Sequence, residues 1–262
     1  MSAAADSLFG LRGKVALITG ANTGLGLGYA EAIAAHGGDV VIWGRREAKN
    51  AEAAGILERY GGRVLAQTVD VSDEQRVIDA MGEALATMGR LDCVIVNAGI
   101  SGSRGPFTAM TTEDYHSVIA VGQHGAFYTL REAVRHMVAR AEAGDPGGSL
   151  IVTGSLTMIM GRPYREHYAA AKGAVLAMTR GIAVEFARYG IRANVVAPGR
   201  IETELGSSTP SIESREQMAA EVPMKRFGTA AELGGIIVYL MSDAASYHTG
   251  DLIVVDGGLS CA

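Results

Sequence analysis

A tyrosine and a lysine stand four residues apart in the run Tyr168-Ala-Ala-Ala-Lys172. In a helix, such positions share one face and lie about 6 Å apart along the axis. An ammonium group so placed lowers the pKa of a phenol, which otherwise titrates at about 10. The spacing therefore predicts an acid/base tyrosine, although by itself it also fits two surface side chains without a chemical role.

A glycine-rich segment, Thr19-Gly20-Ala21-Asn22-Thr23-Gly24-Leu25-Gly26, lies between an apolar run and a helix-prone one. Glycines let the chain turn sharply and bring backbone N–H groups against a pyrophosphate at the N-terminus of the helix. A position after a strand and before a helix is the context that this motif requires. The segment predicts a dinucleotide site that includes Gly20, Asn22, Thr23, Gly24, Leu25 and Gly26.

The second apolar run ends in Ile42-Trp43-Gly44-Arg45-Arg46. At this place a carboxylate would bind the adenine ribose of NAD, whereas an arginine would pair with the 2′-phosphate of NADP. No carboxylate is present, and cations are unfavourable at the start of a helix. The sequence therefore favours NADP, with NAD as the alternative; two solvated charges that open the next helix remain the interpretation without function.

Two further motifs are Asn97-Ala98-Gly99 and the run from Pro198 to Thr203. Together the motifs resemble TGxxxGxG, NAG, YxxxK and PGxIxT of the short-chain dehydrogenase/reductase family, in order over nearly the whole chain. The resemblance implies an NAD(P)-dependent oxidoreductase that interconverts a carbonyl and an alcohol. It also implies a homotetramer, with the C-terminal strand near a subunit interface.

The resemblance assigns roles to individual residues. Ser155, thirteen residues before Tyr168, would hydrogen-bond the substrate oxygen, and Lys172 would hold the nicotinamide ribose. Tyr168 would donate a proton to the carbonyl oxygen in the reducing direction. Further cofactor contacts are implied at Asp70, Val71, Asn97, Ala98, Gly99, Pro198, Gly199, Ile201 and Thr203.

One position departs from the family pattern. The family commonly has an asparagine in a segment like VNLxGxF, where it holds a water in the proton relay, but Val121-Gly122-Gln123-His124-Gly125-Ala126-Phe127 has Gly122 there. Either an extra water fills the space and preserves the relay to Lys172, or the relay is broken. The second possibility leaves open a nucleotide-binding sensor or scaffold with weak or no turnover.

The residues around the predicted acid/base group leave the substrate open. Apolar side chains after Ser155 favour a hydrophobic carbonyl compound, whereas Arg162, Arg165 and Arg200 allow an anionic substrate such as a sugar acid. His167 is expected to pack or to lie at the rim, because adjacent helical residues point about 100° apart. The predicted pocket contains Leu156, Thr157, Met158, Tyr164 and Arg200.

Short Val- and Ile-rich runs alternate with helix-prone stretches, a pattern typical of βαβ units. It predicts a Rossmann-like α/β fold over residues 1–262, a single domain with a doubly wound, seven-stranded parallel sheet. A loose tract, Gly206 to Ser214, is either a mobile flap or a plain surface loop. The predicted strands are Lys14–Thr19, Asp39–Trp43, Arg63–Thr68, Asp92–Val96, Ser149–Thr153, Ile191–Val196 and Leu252–Val255.

Composition bounds the class of protein. The 262 residues are 48% hydrophobic and 19% charged, and no apolar run approaches the roughly 20 residues that cross a bilayer. We expect no signal peptide, no membrane partner and a cytoplasmic location. A net charge of -5 disfavours nucleic acid and favours a small-molecule partner. Cys93 and Cys261 are too few for a disulfide framework or a cysteine zinc site, so no metal is expected.

Overall fold

Seven strands form one parallel sheet in the order β3-β2-β1-β4-β5-β6-β7. The computed structural model describes residues 8–202 and 212–262. Each predicted strand is present; β6 extends two residues further than predicted, and the ends of the others differ by at most one residue. The strands are β1 Val15–Thr19, β2 Asp39–Gly44, β3 Val64–Thr68, β4 Cys93–Val96, β5 Gly148–Thr153, β6 Ile191–Pro198 and β7 Leu252–Val255.

Helices cover both faces of this sheet, which confirms the doubly wound fold. Alternate strand residues point to opposite faces: Leu17 packs in the layer of α3, α5 and α6, and Ile18 in the layer of α1, α2 and α8. The helices are α1 Gly24–Ala35, α2 Glu47–Leu57, α3 Glu74–Met88, α4 Thr112–Ile119, α5 Gly125–Glu142, α6 Glu166–Phe186, α7 Ile212–Glu221 and α8 Gly234–Met241.

The two edge strands differ from the central ones in burial. All residues of β1 and β4 are buried, as expected for strands covered on both faces. Every residue of β7 is only half-buried, and β3 contains one fully buried residue. The edge strands β3 and β7 are less buried because each lacks a neighbouring strand on one side.

The connections diverge on the two sides of β1. Its chain continues into α1 and β2 on one side, while β4 pairs with β1 on the other. At such a reversal the loops after the two strands separate and leave a crevice at their carboxyl ends. The glycine-rich segment, the Asn97 segment and Ser155 all follow strands at this edge, so the topology brings the predicted site residues together.

Candidate active site

The glycine-rich turn passes closely under the loop after β4. Gly20 has a φ of 63°, and a Cβ built on it would lie 3.0 Å from the Cα of Ala98. A Cβ on Gly26 would lie 2.3 Å from the carbonyl oxygen of Gly20. Side chains at either position would force turn, helix and loop apart. The first turn of α1 has no acidic residue, so its backbone N–H groups can bind an anion.

A buried amide network fixes the end of β2. The Asn50 Nδ2 group donates to the carbonyl oxygens of Gly44, at 2.9 Å, and Gln67, at 3.1 Å. The Asn22 Nδ2 group donates to Asn50 Oδ1 at 2.8 Å. A Cβ on Gly44 would lie 2.3 Å from Asn22 Nδ2. A carboxylate at position 44 would therefore break this network, which adds a packing reason for the glycine.

Two arginines flank the cleft beyond this network. Arg45 Nη1 lies 3.8 Å from Asp70 Oδ2, and Arg46 Nη2 donates to Thr23 Oγ1 at 3.5 Å. Burial opposes ionisation of Asp70, but hydrogen bonds from Ser72 and the charge of Arg45 outweigh it and lower the pKa of this carboxyl. Both arginines are exposed and face the cleft, so they are available to an anionic group.

Asn97 connects the carboxyl ends of three strands. Its Nδ2 group donates to the carbonyl oxygens of Thr19 and Gly20, each at 3.1 Å. Its Oδ1 atom accepts from Thr153 Oγ1 at 3.1 Å, and its backbone N–H donates to Thr19 Oγ1 at 3.0 Å. Asn97 thus stabilises the wall of the cleft between the turn after β1 and the end of β5.

The three predicted catalytic side chains meet at the other end of the same cleft, which has a volume of about 480 Å³. Ser155 follows β5, and its Oγ accepts from the backbone N–H of Thr157 at 3.2 Å. The helical spacing of Tyr168 and Lys172 brings the Lys172 Nζ atom to 5.7 Å from the centre of the tyrosine ring. Lys172 Nζ donates to the carbonyl oxygen of Thr153 at 2.6 Å.

Burial dominates the titration of this group. It lowers the pKa of Lys172 from an ordinary value of 10.5 to about 8. Burial raises the pKa of Tyr168, while a hydrogen bond with Ser155 and the charge of Arg165 act to lower it. The sequence prediction of a tyrosine pKa depressed by Lys172 is wrong for this structure, because loss of solvent outweighs the neighbouring charges and the cation that acts is Arg165.

Gly122 lies buried in a π-helical turn, Ala120–His124, between α4 and α5. A Cβ on Gly122 would lie 3.2 Å from the Cβ of Ala171, on the helix that carries Tyr168 and Lys172. This distance is shorter than an ordinary van der Waals contact. The space beside Gly122 is therefore smaller than the space that the sequence predicts for an extra water. Single-turn π-bulges are common at functional sites.

The predicted substrate residues separate in space. Thr157 and Met158 line a second cavity, between the segment after Ser155 and α6. Leu156 is instead buried in a cluster with Val222 and Leu259, near the C-terminal segment. Tyr164 is half exposed and has a φ of 63°. Arg200 forms an ion pair with Glu221 of α7.

His167 is fully buried, which confirms a packing histidine rather than a rim residue. It packs under Gly102, where a Cβ would lie 2.2 Å from the ring Nε2 atom. Thr203 and most of the tract Gly206 to Ser214 lie outside the described residues.

The remaining predicted cofactor residues line the cleft, except Gly26, whose role is in packing. Sequence reasoning missed several cleft residues: Val69, Ile100, Val121, Thr153 and Gly154. It also missed Asn50 behind them. Thr153 is the last residue of a predicted strand, two residues before Ser155, and this position could have indicated its place in the cleft. Nothing in the neighbouring sequence marks Asn50. Within residues 8–202 and 212–262, no group of His, Cys, Asp and Glu side chains could hold a metal ion.

Known proteins share this arrangement. A family profile described as enoyl-(acyl carrier protein) reductase matches residues 20–260. L-rhamnose 1-dehydrogenase (NAD(P)(+)) from Sphingomonas sp. (strain SKA58) is 35% identical over 254 residues, covering 95% of this chain and 97% of that protein. A short-chain type dehydrogenase/reductase from Mycobacterium marinum superposes with a TM-score of 0.91 at 35% identity, covering 98% of this chain and 99% of the other. The chain belongs to the short-chain dehydrogenase/reductase family.

Another solved structure superposes on this chain with the same TM-score. A gluconate 5-dehydrogenase from Burkholderia cenocepacia J2315, solved in complex with NADP and tartrate, has a TM-score of 0.91 at 36% identity and covers 98% of this chain and 99% of its own. Because the chain belongs to this family and its relatives are dehydrogenases and reductases, it is an oxidoreductase. In the part of the chain that the structure describes, no helix is both long and apolar enough to span a membrane.

Proposed function

We propose that this protein is an NADP-dependent oxidoreductase that interconverts an alcohol and a carbonyl. The observation that carries the proposal is one cleft with two chemically different ends. Ser155, Tyr168 and Lys172 line one end, and Arg45 with Arg46 lines the other, beyond an anion-binding turn. Acid/base groups and a cofactor site in one cleft are what hydride transfer requires.

The residues of the reactive end have distinct roles in this proposal. A bound nicotinamide supplies or accepts the hydride. In the reducing direction, the Tyr168 hydroxyl donates its proton to the carbonyl oxygen, and in the oxidising direction the phenolate accepts it. Ser155 donates a second hydrogen bond to that oxygen, where negative charge develops. Lys172 would bind the nicotinamide ribose.

The residues present fit the cofactor. The turn whose glycines tolerate no Cβ leaves backbone N–H groups for the pyrophosphate, and Asp70 with Val71 lies where the adenine would bind. Arg45 and Arg46 would pair with a 2′-phosphate. Asn97, Ala98, Gly99, Pro198, Gly199 and Ile201 would contact the nicotinamide half, together with Thr203 outside the described residues. NAD remains the alternative, since relatives use either nicotinamide.

We further propose that a water near Gly122 completes the proton relay to Lys172. Outside its own helix, Ala171 Cβ is the only described atom within 4 Å of a Cβ at Gly122. The remaining space is open on the sides away from Ala171. A water there could bond a backbone carbonyl, which is energetically close to a direct hydrogen bond.

A homotetramer is also part of the proposal. An apolar groove of about 510 Å³ lies along α5 and α6, where Phe127 is 41% exposed. On α6, Val184 is 82% exposed. Contiguous exposed apolar surface on paired helices is typical of an interface between subunits. Sedimentation equilibrium would measure the assembly.

The test is a screen of purified protein with NADP⁺ and NADPH against alcohols, ketones and sugar acids, repeated with NAD⁺ and NADH. We expect turnover with the phosphorylated cofactor at the higher kcat/KM. Tyr168→Phe should lower kcat by about 10³-fold or more and leave NADPH binding near wild type, because only the hydroxyl is lost. The matched control is Tyr60→Phe, on an exposed tyrosine just beyond α2, which should keep wild-type turnover.

Each outcome of this screen is decisive. Equal or better kcat/KM with NADH would overturn the NADP assignment. Turnover retained by Tyr168→Phe would mean that another group is the acid. Tight cofactor binding with no turnover of any compound would favour the nucleotide-binding sensor instead.

A further inference from the structure

Arg165 is placed against the reactive end of the cleft by two elements. It directly precedes α6, three residues before Tyr168, so both side chains lie on one side of the helix start. Its Nη1 group donates to the carbonyl oxygen of Ser101 at 3.0 Å, in the loop after β4. The guanidinium is therefore held between α6 and this loop, and its charge acts on Tyr168.

A second arginine approaches the first. Burial, followed by the charge of Arg104 in the same loop, lowers the pKa of Arg165. Among the described residues, no carboxylate forms an ion pair with either arginine. The neighbouring Glu166 lines the second cavity, on a different side of α6. Arg165 thus lies beside Tyr168 without a carboxylate partner, and Arg104 follows in the loop that Arg165 contacts.

Several other arginines of this protein are paired with carboxylates. Arg131 pairs with Glu74 at 2.8 Å, Arg140 with Asp145 at 2.9 Å, and Arg226 with Glu232 at 2.6 Å. The half-buried Arg165 lacks such a partner, and an anion beside it and the exposed Arg104 would offset the cost of burying its charge. Such unbalanced charge next to a reactive group is typical of a ligand-binding site.

We propose that Arg165 and Arg104 bind a negatively charged carboxylate of the substrate. The inference rests on the proposed function and names its substrate class: a hydroxy acid or keto acid whose reacting oxygen meets Tyr168 and Ser155 while its carboxylate meets the two arginines. Of the two alternatives that the sequence left open, the geometry favours the anionic one. The second cation of the proposed site is Arg104 and not Arg200, because Arg200 already forms an ion pair with Glu221.

The experiment compares matched acid and neutral compounds. Oxidation with NADP⁺ is measured for D-gluconate against D-glucitol, and for cis-4-hydroxycyclohexanecarboxylate against its carboxamide, within a wider set of acid and amide pairs. We expect kcat/KM to favour the acids at least about tenfold. Arg165→Gln and Arg104→Gln should each remove about ten- to hundredfold of that preference, the range of a charged hydrogen bond.

A control and a second readout separate this inference from the proposed function. Arg59→Gln is the matched control, because Arg59 is exposed just beyond α2, away from the cleft, and should leave the preference unchanged. Calorimetric titration of the same acid and neutral compounds into protein that contains NADPH measures binding without turnover. NADPH is already reduced, so it cannot accept a hydride from an alcohol. Arg104 is exposed, so its variant should fold even if Arg165→Gln does not.

The outcomes are distinct. Acid-selective binding that is lost in Arg104→Gln, without turnover, would support the inference and contradict the proposed function. Turnover that is equal for acids and amides, or a preference that survives both substitutions, would overturn the inference and leave the proposed function standing. Absence of both binding and turnover across the set would overturn both.

Discussion

The two ends of the cleft hold their charges in opposite ways. At the adenosine end, Arg45 and Arg46 are exposed, Asp70 accepts two hydrogen bonds from Ser72, and the Asn50 network satisfies the backbone behind them. At the reactive end, Lys172 and Tyr168 are buried, and burial shifts both pKa values toward the neutral forms.

This difference separates recognition from reactivity. Exposed charges can select one ligand over another with little cost to folding. Desolvated groups are costly in the folded protein, and burial brings the pKa of Lys172 to about 8, close to moderate pH. Substitutions at the two ends should therefore change different observables.

The largest expected effect is on cofactor selection at the exposed end. Arg45→Asp replaces a cation that would face the 2′-phosphate with a carboxylate, so attraction becomes repulsion. We expect the ratio of kcat/KM for NADPH over NADH to fall by about a hundredfold or more, from the loss of a charged hydrogen bond. Steady-state assays with both cofactors measure this ratio.

A control makes the cofactor result specific. Arg59→Asp introduces the same charge change on an exposed residue just beyond α2, away from the cleft. It should leave the cofactor ratio unchanged. An unaltered ratio of kcat/KM for NADPH over NADH in Arg45→Asp would show that Arg45 does not bind the 2′-phosphate.

The second effect is on the pH dependence of stability at the buried end. The folded-state pKa of Lys172 is about 8 and its ordinary value is 10.5. Between these values the unfolded chain binds the proton and the folded protein does not, so this residue makes stability rise with pH. Lys172→Met should lack this rise, which amounts to about 2 to 3 kcal/mol.

The measurement is the free energy of unfolding of wild type and Lys172→Met by denaturant, from pH 7 to 10.5. The difference between them should change steadily across that window and level off below pH 8. Lys49→Met, on an exposed residue paired with Glu52, should follow the wild-type curve. Parallel curves for wild type and Lys172→Met would mean that the lysine is not destabilised by burial.

The smallest expected effect concerns Gly122. Gly122→Asn restores the family's amide, but its Cβ would press on Ala171 Cβ at 3.2 Å, so the helices must shift by a few tenths of an ångström. If a water already completes the relay, kcat should change by less than about tenfold across pH. Gly122→Ala is the control, since it adds the Cβ without the amide.

A large response at Gly122 would change the comparison. A gain of about a hundredfold or more in kcat for Gly122→Asn, equal to about 2.7 kcal/mol of barrier, would show that the native site lacks a working relay. The reactive end would then be incomplete, and the sensor interpretation would become stronger.

The sequence was most informative where chemistry depends on neighbours in the chain. The glycine-rich segment, the arginines after β2 and the Tyr168-Lys172 spacing are local patterns, and each lies in the cleft as predicted. It was least informative where contacts join distant segments. Asn50, which holds Gly44, and Ala171, which limits the space at Gly122, carry no local mark of these roles.

The sequence by itself determined the strand pattern, the doubly wound fold and most of the cleft residues, because alternation of apolar runs and motif spacing are properties of the chain order. Only the tertiary structure decided how those residues behave. It buried Tyr168 so that its pKa rises, moved Leu156 into an apolar cluster, paired Arg200 with Glu221 and brought Arg104 to Arg165. Desolvation and charge pairing depend on which distant groups share a volume, and the fold alone sets that.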